Sequence, residues 1–533
     1  MSAATDVISA SMRFARIQKW KANIMADDTL QPLFQSSPIT DYQVIVANDR
    51  PVVPDSYVLN DLDGVWVANG PQFRTTQVYD AEKQPIGLLV GIAYNVFEGD
   101  FVKSEALELP ILVRDIDDIE LLVLPKLAGS FLLVTAKRFP RRVYPDHGGS
   151  ISMVYISDRR IAASSPALLL SEAEYTERFD VDLHDALVVR EGGGGWISGT
   201  LTAHRGVLRL LANHYLDLES WQAARFWPRL GEFDGWRDMG VAAADAADAI
   251  RTFNDAVFRS HDVAVTLTAG FDTRLVLAGC REHISAGQFF TIAAPLAEMD
   301  MAIGQRIALR FGLNFEILPL KRASKDQAAV WDRMVGDCVL EAPRFTHPTL
   351  RDLKGRDVIV TGLFGETGRC RYYRQDLLTI NDSVIDAKFI VDRLTVPAHP
   401  VLVKNIDKWL RELDGQPNSV ILDLALLELK LGSWAMPQRS MTNTVKWAFM
   451  PFTQRVVFDA FVGVAPADKG TAALFWAMIR HLWPNLDELP INKYGDVRDY
   501  TLIWKKLTNP ARVRRYLRDR FAKKTVHPVS SGA

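Results

Sequence analysis

Cysteine is scarce: 533 residues hold three, Cys280, Cys338 and Cys370. An odd count with no metal or redox spacing excludes a disulfide framework and predicts a reducing, cytoplasmic setting. No cysteine precedes Cys280, so the first half of the chain has no thiol nucleophile. The sequence also lacks the Gly-x4-Gly-Lys-Ser/Thr loop, the His-Glu-x-x-His pair and the Gly-x-Ser-x-Gly elbow. Those absences exclude the commonest nucleotide-hydrolysing, zinc-protease and α/β-hydrolase designs. No apolar run approaches the roughly 18–20 residues of a membrane span. The basic residues Arg13, Arg16, Lys19 and Lys21 precede no run of signal-peptide length. An excess of one charge is missing too: 62 Lys and Arg against 64 Asp and Glu leave −2, which excludes a chain dominated by polyanion binding.

What is present is an ordinary globular composition, 48% hydrophobic and 24% charged, long enough for two or three domains. From Tyr42 to about Ser171 short apolar or alternating runs, such as Gly87–Tyr94, Gly129–Thr135 and Ile151–Ser157, read as sheet. Gly192 to Gly195 reads as a flexible surface loop before Trp196. Pro228, Gly231, Gly235 and Gly240 cluster at a change of character. Beyond it Val241, Ala246, Ile250, Phe253 and Val257 recur at helical spacing. Strands are predicted at Val263–Leu267, Gln288–Ile292 and Phe315–Leu318, with helices between them from near Thr273 and over Asp300–Phe311. Alternation of buried strands and helices predicts a parallel α/β sheet. Residues 419–432 and 471–483 read as helical, and the basic run from Lys505 to Lys524 as a solvated helix.

The informative segment is the turn Thr268-Ala-Gly-Phe-Asp-Thr273 between a strand and a helix. Such a turn gathers backbone N–H groups and a helix N-terminus at one spot, which attracts phosphate. Thr268 and Thr273 add hydroxyls, and Gly270 lets a backbone come close. Asp272 at that mouth suits a Mg²⁺ that bridges to phosphate oxygens. The same hexapeptide also reads as a plain strand-to-helix turn with Asp272 or Thr273 as N-cap.

This segment resembles the pyrophosphate loop of the asparagine synthetase family, usually Ser-Gly-Gly-x-Asp-Ser, with Thr268, Ala269 and Thr273 as departures. Further segments resemble the family in its order: Phe290–Ala293, the helix with Asp300, Ala302, Ala308 and Gly312, and Val358–Gly368. Met450–Arg455 and the stretch from Pro484 through Pro490-Ile-Asn-Lys493 complete the series. The resemblance implies ATP and Mg²⁺ as cofactors. It places Asp272 and Glu366 on the metal, and Leu267, Thr268, Ala269, Gly270, Asp272, Thr273, Arg274, Ala293, Thr361 and Gly362 around the nucleotide and pyrophosphate. Lys493, with Glu366, falls on a catalytic position and suits charge stabilisation. Leu363 stands where well-known members carry an acid or tyrosine, so acceptor chemistry differs, passes to Glu366, or is lost. Arg369 and Arg371 follow the Gly-Glu loop, within reach of a phosphate or carboxylate; Tyr372 and Tyr373 read as packing.

The first half resembles, more faintly, the glutaminase domain of the same family. The likeness lies in Leu127–Val134, Arg142–Gly149, Ile161–Ser165, Gly206–Leu216 and Asn69-Gly70. Its thiol is absent, as in β-lactam synthetases and lasso-peptide cyclases, and Ser2 lies beyond the likeness. The expected fold is therefore α+β followed by α/β. Residues 1–228 form an Ntn-hydrolase-like αββα sandwich without glutaminase activity; residues 229–533 form a PP-loop ATP-pyrophosphatase domain with a helical C-terminal part. The expected activity adenylates a carboxylate and passes it to an amine, both from a small molecule or peptide. No nucleic acid and no membrane span is expected, and a homodimer is left open. The alternative is a synthetase scaffold that has lost catalysis and acts as a nucleotide-binding or regulatory protein.

Overall fold

A computed structural model describes residues 40–189, 195–231, 233–340 and 347–500. The N-terminal basic residues, Gly192 to Gly194 and the basic run beyond Tyr500 lie outside the described residues. Among the described residues no helix is long and apolar enough to cross a membrane.

The first half forms two sheets, one of six strands and one of eight. The predicted runs fall in strands Pro85–Asn95, Leu127–Thr135 and Met153–Ile156, and the first strand is Val44–Ala47. Alternation along a strand sorts side chains to opposite faces. Val44 and Val46 thus join Leu88, Val90, Leu132 and Val134 in a shared core between the sheets. Ile45, Val154 and Ile156 face outward against Leu169, Leu170 and Tyr175. On the other sheet Leu89, Ala93 and Leu133 pack against Ile119, Val123 and Leu124. Helical segments therefore cover both outer faces, and the molecule as a whole is a mixed α/β structure.

The second half is built on a five-stranded sheet whose neighbouring strands all run parallel. Its strands are β1 (Val263–Thr266), β2 (Gln288–Ile292), β3 (Phe315–Leu318), β4 (Val358–Val360) and β5 (Trp447–Phe449). The order β3-β2-β1-β4-β5 reverses direction between β1 and β4. Helix α1 (Met239–Ser260) precedes the sheet, α2 (Phe271–Gly279) follows β1 and α3 (Glu298–Phe311) follows β2. Asp238 caps α1 by accepting the Val241 N–H at 2.9 Å. Ala246, Ile250, Phe253 and Val257 are buried, as their spacing predicts. Val241 is the exception, 61% exposed, because it sits in the first turn on the solvent side.

The two halves are fastened by buried polar contacts. Glu428, fully buried in a π-helical stretch Ala425–Ala435, accepts from both ends of the Arg225 guanidinium at 2.7 Å. It also accepts from Trp409 Nε1 at 2.7 Å and Asn213 Nδ2 at 3.1 Å.

Candidate functional site

A parallel sheet opens a crevice at the carboxyl ends of its strands where the strand order reverses, because flanking connections leave in opposite directions. Here that point lies between β1 and β4. The residue after each strand keeps the sheet pattern going for one more bond. Leu267 N–H donates to Phe290 O at 2.8 Å, Ala293 N–H to Leu318 O at 3.0 Å, and Thr361 N–H to Phe449 O at 3.0 Å. Beyond them the chain departs into the turns singled out above.

The turn after β1 is organised around its two threonines. Thr268 and Thr273 hydroxyls lie 2.9 Å apart, Thr268 N–H donates to Thr273 Oγ1 at 3.0 Å, and Gly270 N–H reaches Thr268 Oγ1 at 3.3 Å. Ala269 is buried, and it is not among the residues with left-handed backbone. Its methyl therefore brings no strain, and the departure from glycine is tolerated in this fold. Gly270, at φ −82°, caps α2 without a left-handed angle either.

The turn after β4 packs on Asp272. A Cβ at Gly362 would lie 2.7 Å from the Asp272 carbonyl carbon, and one at Gly365 2.4 Å from Asp272 Oδ1. Only glycine allows the turn to approach the Asp272 backbone at 362 and the Asp272 side chain at 365 this closely. The contact brings Glu366 close enough for its charge to oppose Asp272 ionisation. Burial pushes Asp272 up to about 6, and Arg369 draws it back down while Glu366 adds to the rise. Asp272 Oδ2 accepts from Arg369 NH2 at 2.8 Å; Oδ1 is buried with no hydrogen-bond partner among the described residues. Glu366 Oε1 accepts from Arg371 NH1 at 2.9 Å. Leu363 packs on the core as a partly buried apolar side chain.

Arg274 has a different place from the one expected. Fully buried, it donates NH1 to Leu486 O at 3.0 Å and Leu489 O at 3.2 Å, and NH2 to Pro490 O at 3.1 Å. Burial draws its pKa down to about 10. The guanidinium holds the late segment against α2. That segment then meets the loop, because Asn492 N–H donates to Ala269 O at 2.8 Å. Arg306 of α3 donates to the Tyr494 carbonyl. Lys493, between these two contacts, is exposed and makes no ion pair with a described residue.

The Ala269 peptide is thus engaged on both sides, since its N–H donates to Asp300 Oδ1 at 2.9 Å. Sequence reasoning placed Asp300 only in a family-like helix and did not bring Asn492 or Arg369 to the loop as partners. Their separations from it, 31 residues for Asp300 and 97 from Arg369 to Asp272, lie beyond any local pattern. Tyr373, read as packing, is buried and also donates to Asp423 at 2.8 Å beside Lys469.

Among the described residues no group of three or more His, Cys, Asp or Glu side chains converges as a metal cage. A Mg²⁺ bound with substrate phosphates needs only one or two carboxylates. The partnerless Oδ1 of Asp272, beside Glu366, fits that requirement.

No protein-family model matches the chain, and no curated protein sequence does. Two solved structures are similar to it at 10% identity. One is described as the structure of the allosteric regulatory enzyme of purine biosynthesis; the match covers 62% of this chain and 70% of that one, with a TM-score of 0.21. The other is glutamine phosphoribosylpyrophosphate amidotransferase from B. subtilis complexed with ADP and GMP, covering 72% and 90%, with a TM-score of 0.16.

Proposed function

We propose that this chain is an ATP- and Mg²⁺-dependent synthetase of the asparagine synthetase type that forms an amide without glutaminase activity. The crevice at the reversal of strand order supports this reading above all. Adjacent strands bring to it a turn leading into a helix N-terminus and two carboxylates, Asp272 and Glu366. Helix N-termini favour phosphate, and carboxylates beside them suit a divalent cation that offsets phosphate charge. Asp272 and Glu366 would hold Mg²⁺, which supplies charge compensation on the phosphates. Thr268, Gly270 and Thr273 would receive pyrophosphate, with Leu267, Ala293, Thr361 and Gly362 around the nucleoside. A carboxylate oxygen of the substrate attacks the α-phosphorus and the bond to pyrophosphate breaks. The amine nitrogen then attacks the acyl carbon, the bond to AMP breaks, and the nitrogen loses a proton. Lys493 would stabilise the negative charge that develops in both steps.

The test is exchange of labelled pyrophosphate into ATP with Mg²⁺ and a panel of carboxylates. Exchange that survives Asp272→Ala unchanged sinks the site. Leu363 favours a second reading, in which the scaffold binds nucleotide in a regulatory role. Calorimetric binding of ATP·Mg²⁺ without any exchange supports that reading.

A further inference from the structure

Helix N-termini draw anions and buried carboxylates draw cations. In this crevice a carboxylate already lies on the turn before α2, and a guanidinium already lies on the Asp272 carboxylate. A carboxylate oxygen of Asp300 lies 2.9 Å from the Ala269 N–H, in the turn that leads into α2. A guanidinium nitrogen of Arg369 lies 2.8 Å from Asp272 Oδ2. Neither contact is a by-product of a local turn, because Asp300 comes from the first turn of α3 and Arg369 from the 3-10 turn Gly365–Arg369 after β4. The Arg369 turn is also a discrete unit. Phe364 and Cys370 bound it with left-handed backbones at φ 78° and 53°, conformations that cost a non-glycine residue about 1 kcal/mol or more. Between them the Arg369 guanidinium lies 5.8 Å from the Phe271 ring and 5.5 Å from that of Phe475.

We infer that Asp300 and Arg369 are internal placeholders, a carboxylate standing where a diphosphate oxygen binds and a guanidinium holding the Asp272 carboxylate that its metal would share. A metal-bound diphosphate enters by displacing both. This rests on the reading of the crevice as an ATP and Mg²⁺ site. The consequence is opposite in sign to that of an ordinary ligand residue. Removing a phosphate or metal ligand weakens binding, whereas removing a competitor strengthens it, because the competent state is no longer a minor one.

The experiment uses the full chain, with inorganic pyrophosphate and Mn²⁺ as separate probes. Pyrophosphate is titrated by calorimetry without metal, and Mn²⁺ is followed by electron paramagnetic resonance without phosphate. Asp300→Ala and Asp300→Asn are expected to bind pyrophosphate on the order of tenfold tighter than wild type. Arg369→Gln and Arg369→Met are expected to bind Mn²⁺ tighter by a similar factor. Asp300→Asn keeps an acceptor for the Ala269 N–H, and Arg369→Met keeps an apolar stem near the two rings, so each pair retains a member built to fold. Binding equal to or weaker than wild type in both members of either pair overturns the inference. If wild type takes both probes and no variant takes them tighter, the placeholders fall and the crevice reading stands. If no protein takes either probe, both fall together.

Discussion

Gly365 shows how much of the site depends on single atoms. A Cβ there would lie 2.4 Å from Asp272 Oδ1, inside any real contact distance. Gly365→Ala should therefore separate the two turns and cost about 1–3 kcal/mol in chemical denaturation, the usual range for overpacking. Lys493 makes the contrasting case. Its side chain is exposed and unpaired among the described residues, so Lys493→Ala should leave the thermal midpoint unchanged. If its charge stabilises the transition state, pyrophosphate exchange should fall by about 100- to 1,000-fold. A loss of stability alongside the loss of exchange would show that the lysine holds the loop.

Arg274, in the first half of α2, ties down three carbonyls of the segment Leu486–Pro490. Arg274→Gln should release that segment, which hydrogen exchange would report as faster exchange over residues 486–494. A stability loss of about 1–3 kcal/mol should accompany it, the scale for leaving buried polar groups without partners. Exchange confined to α2 itself would contradict this role. The elements themselves were legible in the sequence. Gln288–Ile292 and Phe315–Leu318 stand as strands with the predicted limits, and α2 begins at Phe271, two residues before Thr273. Apolar runs and turn residues carry those signals locally. The partners of Ala269 were not legible, because a hydrogen bond to Asp300 or Asn492 depends on how β1, α3 and the late segment dock. Nor did periodicity tell that Arg274 would be buried; a cation directly after a phosphate-like turn reads as a ligand until its carbonyl acceptors are seen.

At the scale of the whole molecule, buried charge decides how firmly the halves hold. Glu428 has two salt-bridged oxygens and no exposure. Removing its counter-charge leaves an uncompensated buried carboxylate, so Arg225→Met should destabilise by about 3–5 kcal/mol in urea. An adjacent pair supplies a pH response. Burial, reinforced by the Arg455 charge, draws His147 down to about 3, so it stays neutral in the fold while an unfolded histidine protonates near 6.5. Its contribution is present above pH 6.5 and is lost as pH falls toward 3. Burial pushes Asp146 the other way, up to about 7, so its contribution is complete below about 3.8 and is lost as pH rises through 7. Comparing wild type with His147→Gln isolates the first effect. The advantage of wild type should shrink by about 2 kcal/mol between pH 6.5 and 4.5, read from urea midpoints, and a gap independent of pH would refute a neutral buried imidazole. The parallel sheet has a wider consequence. Asp272 and Glu366 follow adjacent strands β1 and β4, whose spacing of about 4.8 Å is set by backbone hydrogen bonds. The sheet sets the base from which the two turns leave, and the contact of Gly362 and Gly365 with Asp272 then closes the gap between the carboxylates. Loops outside that glycine contact are free to diverge toward new substrates while the two turns stay together.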